Sequence, residues 1–220
     1  MRFDLHVHSD SSVDSGNKVE DILDICVKRG LSGVAIMDHN TMEGYRHAAS
    51  LGRKDIILIP GMEVSSAKGH ILAYNIREEV PRDLSVRDTI DAIRAQGGVA
   101  VAAHPYRMWS GLGEEVTLLN DFDAIEVQNG RSTYKHNLAA RKLAARMSKP
   151  FTAGSDSHEN DTIGKTFFET KADCLSADDV IREVLSGTGS TGGRDRPRLD
   201  SIGYGVKCIG QWMGRGLKKM

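Results

Sequence analysis

The sequence predicts an α/β fold in which parallel strands form a closed or nearly closed barrel. Short apolar segments that are typical of buried strands alternate with helical segments about seven times, and the connections between them are short. The length of 220 residues suits one domain with a sizeable hydrophobic core. Several histidines and carboxylates fall at the ends of predicted strands, where barrels of this class carry their chemistry.

The first predicted strand organises the rest of the chain. Residues 3–8 alternate between apolar and polar side chains, which is the pattern of a half-buried strand. His6 and His8 therefore project from the same side, roughly 6–7 Å apart, and two such imidazoles suit one metal ion. The polar run 10–16 predicts a loop that leaves the carboxyl end of the strand and carries Asp14 as a further oxygen ligand.

The remaining elements follow from the spacing of apolar residues and from the residues that begin or end a helix. Amphipathic spacing predicts helices in the ranges 19–30, 43–51, 86–96, 134–147 and 176–185. Gly30 ends the first helix, and Ser176 is the predicted N-cap of the last, with Asp179 at its third helical position. Short apolar runs predict strands in the ranges 33–37, 56–61, 70–74, 99–103, 124–127 and 151–153.

The charge is distributed unevenly along the chain. The formal net charge of the whole sequence is −1. Residues 188–220 contain seven Lys/Arg and two Asp/Glu, a net charge of +5, which leaves −6 for the rest. The acidic body suits cation binding, and the basic tail suits phosphate or nucleic acid. The glycine-rich stretch 187–193 predicts a flexible linker, after which the tail is expected to pack on or near the barrel.

Cysteine usage and the amino-terminal sequence predict a cytoplasmic protein. Cys26, Cys174 and Cys208 are an odd number without paired spacing, which argues against a disulfide framework and for a reducing compartment. We expect no signal peptide, because charged residues and a histidine pair stand where an apolar run is needed. No apolar segment approaches the roughly 20 residues of a membrane span.

Polar side chains gather at the strand ends in a way that predicts a metal centre. His39, Glu63, His104, Asp156 and His158 follow predicted strands, and His70 begins one. Together with the first strand and its loop, they would commit six of the eight histidines to one site. Mixed histidine and carboxylate ligation suits Zn, Mn or Fe, and a glutamate can bridge two metals through its two oxygens. Two or three clustered divalent cations suit phosphoester hydrolysis by an activated hydroxide.

The whole set of motifs resembles the PHP (polymerase and histidinol phosphatase) family of metal-dependent phosphoesterases, from Arg2 to about Gly187. The segments that carry the resemblance are 4–8, 37–40, 61–64 with 103–105, and 154–158. The resemblance implies a distorted seven-stranded (β/α)7 barrel as the catalytic unit over residues 1–187. It also implies an enzyme that hydrolyses phosphoric ester bonds.

The resemblance further implies which residues hold each metal. The first metal would be held by His6, His8, Glu63 and Asp156. The second would share Glu63 and take His70 and His104, and the third would take Asp14, His39 and His158. Asp14 stands where the family often has histidine, which would shift the preference toward Mn or Fe, and Met37 stands where threonine is common. Glu63, Asp156 and His158 would be the catalytic residues.

Two arginines are candidates for binding the substrate. Arg107 and Arg131 lie on loops at the catalytic end, where a guanidinium can bond to phosphate oxygens. An ordinary solvated arginine is an equal alternative for each. His47 and His136 fall on predicted helices and are interpreted as surface or packing residues. The low aromatic content of 5% gives no aromatic-rich basic groove of the kind that single-strand binders use.

Several functions remain open at this stage. The leading hypothesis is a hydrolase of a phosphomonoester or phosphodiester, and the resemblance favours a nucleotide or a short nucleic-acid end as substrate. A histidinol-phosphatase-like enzyme for a small metabolite and a non-catalytic PHP regulatory module are alternatives. Amide hydrolysis is less favoured, because we find no strand lysine placed to bridge metals. The expected partner is therefore a phosphorylated small molecule or an oligonucleotide, with no membrane and no obligate protein partner.

Overall fold

A computed structural model describes residues 1–195 of the chain. The described part contains ten strands and six helices. In chain order they are β1 Arg2–Val7, α1 Val19–Lys28, β2 Gly33–Ile36, α2 Glu43–Ser50, β3 Ile57–Ile59, β4 Gly61–Ser65, β5 His70–Tyr74, α3 Val86–Arg94, β6 Val99–Ala102, α4 Glu114–Leu119, β7 Ala124–Asn129, α5 Tyr134–Arg146, β8 Phe151–Gly154, β9 Thr166–Glu169, α6 Ala177–Ser186 and β10 Ser190–Gly193.

The strands form two five-stranded mixed sheets, so the α/β class is confirmed but the closed (β/α)7 barrel is not. The first sheet has the order β10-β9-β1-β2-β3 and the second has β4-β5-β6-β7-β8. Within residues 1–195, isolated bridges rather than continuous ladders join the sheets, at Val7 with Ser157 and at His39 with Glu63. The backbone bridges between the two sheets therefore lie at or near the carboxyl ends of β1, β2 and β8.

Proline chemistry explains part of this departure. The predicted strand 56–61 is divided at Pro60, and its two halves, β3 and β4, belong to different sheets. Proline lacks the N–H that a ladder needs and is excluded from the middle of a sheet. The chain accordingly passes from the first sheet to the second at Pro60, and the two strands do not form one continuous sheet.

Strand direction also differs from the all-parallel prediction. β5 runs antiparallel to both β4 and β6, and β9 runs antiparallel to β1. Only residues 66–69 connect β4 to β5, and so short a connection cannot carry a chain back across the sheet for parallel pairing. As a result, the amino end of β5 lies at the same edge of the sheet as the carboxyl ends of β4 and β6.

The end of the described chain corrects the predicted linker. Within the stretch 187–193, Ser190–Gly193 forms β10 and pairs antiparallel with β9. Ser176 caps α6 as predicted, since its side chain accepts a hydrogen bond from Asp179 N at 3.2 Å. The predicted helices all have counterparts, whereas α4, β9 and β10 were not predicted. The basic tail beyond Asp195 lies outside the described residues, so the domain division at residue 187 stays a prediction.

Three clusters of buried apolar side chains form the hydrophobic core. One buried cluster joins residues of both sheets, among them Leu5 of β1, Leu72 of β5 and Ala153 of β8. Tyr74, which is fully buried, donates a hydrogen bond from its hydroxyl to Leu5 O at 2.7 Å. Two further clusters pack helices against the outer faces of the sheets. Within residues 1–195, no helix combines the length and the apolar character that crossing a membrane requires.

Candidate metal centre

All nine side chains that the sequence nominates as metal ligands lie together at one edge of the two sheets. Each has a nitrogen or oxygen within 3.9 Å of another member of the set. They come from the ends of β1, β2, β4, β6 and β8, from the loop after β1 and from the start of β5. His70 joins them because antiparallel pairing places it opposite Ser65, at the carboxyl end of β4. A histidine at the start of a strand thus reaches the same edge as those that follow strands.

Glu63 is the centre of the cluster. Its Oε1 lies 2.9 Å from His104 Nε2 and 3.1 Å from His70 Nδ1. Its Oε2 lies 3.1 Å from His39 Nδ1 and 3.4 Å from His8 Nε2. His6 Nε2 is 3.6 Å from the same oxygen. The two carboxylate oxygens therefore face different groups of imidazoles, as a bridging ligand requires.

Asp14 and Asp156 form the other side of the cluster. Asp14 lies 3.0 Å from His158 Nε2 and 3.8 Å from His39 Nε2. Asp156 Oδ1 lies 3.5 Å from His8 Nε2 and 3.6 Å from His158 Nδ1. Three carboxylates are thus distributed among six imidazoles.

Both candidate substrate-binding arginines reach this carboxylate cluster. The Arg107 guanidinium donates to Asp156 Oδ2, and Arg131 Nη1 lies 3.2 Å from Asp156 Oδ1. Arg131 also contacts the ring nitrogens of His158, at 2.6 and 2.7 Å. Both side chains are mostly buried and contact Asp156 instead of lying in solvent, and their role in binding the substrate stays a prediction. His47, in contrast, lies half-exposed on α2 beside Glu20.

The backbone around the site departs from ordinary geometry. His104 and Asp156 have positive φ angles of 26° and 52°, which non-glycine residues rarely adopt and which cluster at functional sites. Gly154 permits the close approach of β8 to β1, since a Cβ there would lie 2.4 Å from the Cβ of His6. Gly154 therefore serves the contact between β8 and β1.

Burial and mutual proximity shift the pKa values of the cluster. Burial lowers the pKa of His39 to about 4, and burial with neighbouring imidazoles lowers the pKa of His8 well below its usual range. Burial opposes ionisation of Glu63, but the surrounding histidines hold its pKa well below the usual range. The two arginines and His6 do the same for the buried Asp156. Neutral His8 and His39 beside ionised Glu63 and Asp156 are in the protonation states in which these groups bind metals. At His6, burial opposes the charged form, but Glu126, Asp156 and Glu63 raise its pKa well above the usual range.

The donor set fits divalent cations. His39 Nδ1 and His70 Nδ1 are buried and make no hydrogen bond, although each lies 3.1 Å from a Glu63 oxygen. Buried polar atoms without hydrogen bonds are costly unless another partner satisfies them. Three groups have ligand atoms within 4.8 Å of one another: His6–His8–Glu63, His39–Glu63–His70 and His8–His39–His158. A cation placed within such groups would satisfy the orphaned nitrogens.

Two buried residues that were not predicted from the sequence contact the cluster. Glu126, on β7, is hydrogen-bonded to His6 Nδ1 through Oε1 at 2.9 Å. Its Oε2 accepts a hydrogen bond from the backbone N–H of His104 at 2.9 Å. Asn129 donates to Glu126 and to Asp156, at 3.1 and 3.0 Å. The sequence does contain a signal for Glu126, because a carboxylate is unusual between the apolar residues 125 and 127 of a strand that ends beside the site.

Comparison with known families agrees with this geometry. The family model for the PHP domain matches residues 4–155. A second model, described as PHP-associated, matches residues 135–188. Together they extend over most of the described chain and include all the candidate ligands.

Relatives and solved structures support the same relationship. An uncharacterized protein of Methanocaldococcus jannaschii is 33% identical over 157 residues, which are 65% of this chain and 91% of the relative. A phosphoribosyl 1,2-cyclic phosphate 1,2-diphosphodiesterase of Eggerthella lenta is 35% identical over 85 residues, 36% of this chain and 32% of that enzyme.

Among solved structures, a two-domain protein from Bacteroides vulgatus containing a predicted PHP-like metal-dependent phosphoesterase superposes with a TM-score of 0.76. It is 18% identical, and the match covers 92% of this chain and 68% of the other. This likeness supports the fold, and the family model supports the membership. The chain belongs to the PHP domain family.

Proposed function

We propose that the protein is a metal-dependent phosphoesterase that hydrolyses a phosphomonoester or phosphodiester, with a nucleotide or a short nucleic-acid end as the favoured substrate. The observation that carries the proposal is the convergence of nine histidine and carboxylate side chains, with Glu63 at their centre, beside two arginines that reach Asp156. Family membership and the phosphodiesterase of Eggerthella lenta support the same reaction class.

The ligand sets suggested by the sequence are compatible with the distances. His6, His8 and Glu63 form one compact group, as expected for the first metal. His70 and His104 both face Glu63 Oε1, as expected for the second. Asp14 contacts both His39 and His158, as expected for the third. Divalent cations at these positions would supply an activated water and neutralise charge on the phosphoryl oxygens.

The arginines would bind and orient the phosphate. A guanidinium presents parallel N–H donors that match phosphate oxygens. Arg107 and Arg131 approach Asp156 from loops at the carboxyl ends of β6 and β7, so their donors surround one small volume. The leaving oxygen needs a proton, and His158, between Asp14 and Asp156, is placed to organise the water that supplies it.

A small substrate panel tests the proposal. Protein loaded with Mn²⁺ is expected to release p-nitrophenol from p-nitrophenyl phosphate or from its thymidine ester, and the ratio of the two rates separates monoesterase from diesterase activity. Turnover of an anilide in place of both phosphoesters would contradict the proposal in favour of amide hydrolysis. Bound metal with no turnover of any phosphoester in a wider panel would favour a non-catalytic module.

Glu126→Gln is expected to weaken metal binding. The substitution keeps the shape of the side chain but removes the charge that faces His6 Nδ1. Loss of such an outer partner typically lowers metal affinity about 10–100-fold. Competition with a chromophoric chelator measures the effect, and Glu115→Gln, at an exposed position of α4, is the matched control. Equal affinities of the two variants would show that Glu126 does not orient the ligands.

A further inference from the structure

Two exposed aromatic side chains lie close in sequence to the two arginines, one on the loop after β6 and one at the start of α5. Among residues 1–195, the exposed aromatic residues are Trp109 and Tyr134, with exposed fractions of 78% and 58%. Trp109 follows Arg107 by two residues, and Tyr134 follows Arg131 by three. The exposed aromatic residues of the described chain are therefore close in sequence to the two arginines that reach Asp156.

The two loops are neighbours in space. They follow β6 and β7, which are adjacent parallel strands, so both loops emerge at the same edge of the second sheet. Arg107, on the first loop, and Arg131, three residues before α5, both contact Asp156. Side chains from the loop that carries Trp109 and from the segment that leads into Tyr134 therefore converge on one carboxylate.

The Trp109 loop is held in a defined shape. Gly111 N donates to Arg107 O at 3.0 Å, and Gly113 N donates to Pro105 O at 2.8 Å. His70 N donates to Ser110 O at 2.9 Å, which ties the loop to β5. A Cβ on Gly111 would lie 2.6 Å from Pro105 O, so the loop is closely packed at its base. This anchored base leaves Met108 and Trp109 in solvent, at 70% and 78% exposure.

Trp109 has both a strained backbone conformation and an exposed side chain, and packing within the protein explains neither. Its φ is 73°, in the left-handed region, which is a genuine outlier for a bulky residue. Its indole also forgoes the free energy that burial of an aromatic side chain provides. A strained and exposed aromatic residue on an anchored loop is explained if a ligand covers the ring.

We propose that Trp109 and Tyr134 form an aromatic rim that binds a planar aromatic group of the phosphoester substrate, such as a nucleobase, while Arg107 and Arg131 hold its phosphate. This inference rests on the proposed phosphoesterase function and names the substrate class. The Cα atoms of residues 107 and 109 are at most ~7 Å apart, so a phosphate and an aromatic group joined through one sugar can contact both side chains. Aromatic rings stack on every base, so the rim selects for a planar group and tolerates different bases.

A comparison of two monoesters isolates the contribution of the rim. We expect Trp109→Ala to lower the ratio of kcat/KM for a nucleoside 5′-monophosphate to that for ribose 5-phosphate by about 5- to 100-fold, the scale of one lost base stack. Tyr134→Ala should lower the same ratio, and Trp109→Phe should retain most of it. Leu175→Ala is the matched control, since Leu175 is 90% exposed and follows β9, whose end pairs with the start of β1 away from the centre.

Fluorescence provides a second readout that does not depend on turnover. The chain has two tryptophans, so Trp212→Phe leaves Trp109 as the only source of tryptophan fluorescence. Adenosine 5′-monophosphate should quench this emission in the chelated protein, and ribose 5-phosphate should not. Quenching without any phosphoester turnover would support the rim and contradict the proposed function. Turnover with an unchanged ratio and no quenching would overturn the rim alone. A third outcome would also overturn the rim as a ligand site. If the nucleotide does not quench the emission, and the protein self-associates in a way that Trp109→Ala abolishes, the rim is a contact between copies of the chain.

Discussion

Replacing Glu63 by alanine is expected to lower kcat at least ~100-fold, the scale of one lost group that stabilises charge in the transition state. Glu63 is buried and faces five histidines with its two oxygens. Its removal takes away the ligand that connects the groups of the cluster. Folding should persist, because the side chain lies at the strand ends while the apolar clusters below it stay intact.

The measurement is steady-state kinetics of the two proteins loaded with the same metal, with thermal unfolding as the check on folding. Glu43→Ala, at an exposed position of α2, is the matched glutamate control. Near-normal turnover by the folded Glu63→Ala protein would contradict the assignment of the centre.

Removal of divalent metals is expected to abolish hydrolysis completely. The carboxylates of Asp14 and Asp156 are ionised and repel a phosphate, and without cations Arg107 and Arg131 are the arginines that reach the site to bind it. Arginines alone do not supply an activated water. Dialysis against a chelator should eliminate turnover, and Mn²⁺ or another divalent metal should restore it.

Two controls make the chelation result interpretable. Chelator already saturated with Mn²⁺ should leave the Mn²⁺-loaded enzyme active if the loss is due to metal removal. Hydrolysis in oxygen-18 water should label the released phosphate in a single turnover. Chelator-resistant turnover, with the metals shown to be gone, or a trapped phosphoryl-enzyme would contradict the account.

The sequence was most informative where residue type and strand periodicity agree. The alternation in residues 3–8 placed His6 and His8 on one side of β1, and short apolar runs located most of the strands. Local patterns of this kind depend on side chains a few positions apart, which one sequence displays directly. Most of the ligand set followed from these patterns and from the resemblance to one family.

Features that depend on distant contacts were not predictable in the same way. The antiparallel direction of β5 and the change of sheet at Pro60 depend on which strands pair, and apolar runs do not encode their partners. Glu126 is a polar residue in a strand, and its role becomes visible only when β1 and β7 are brought together. The arginines at 107 and 131 were undecided for the same reason, since their common contact, Asp156, lies far along the chain.

The central claim is that the nine converging side chains form a centre for more than one metal ion. Anomalous diffraction from crystals soaked in Mn²⁺ tests it most directly, because the ions are located without reference to activity. The account predicts two or three peaks within ~3.5–5 Å of one another, the spacing expected when a carboxylate joins metals in a shared site, with Glu63 between them. A single peak at saturating Mn²⁺, or peaks remote from Glu63, would contradict it.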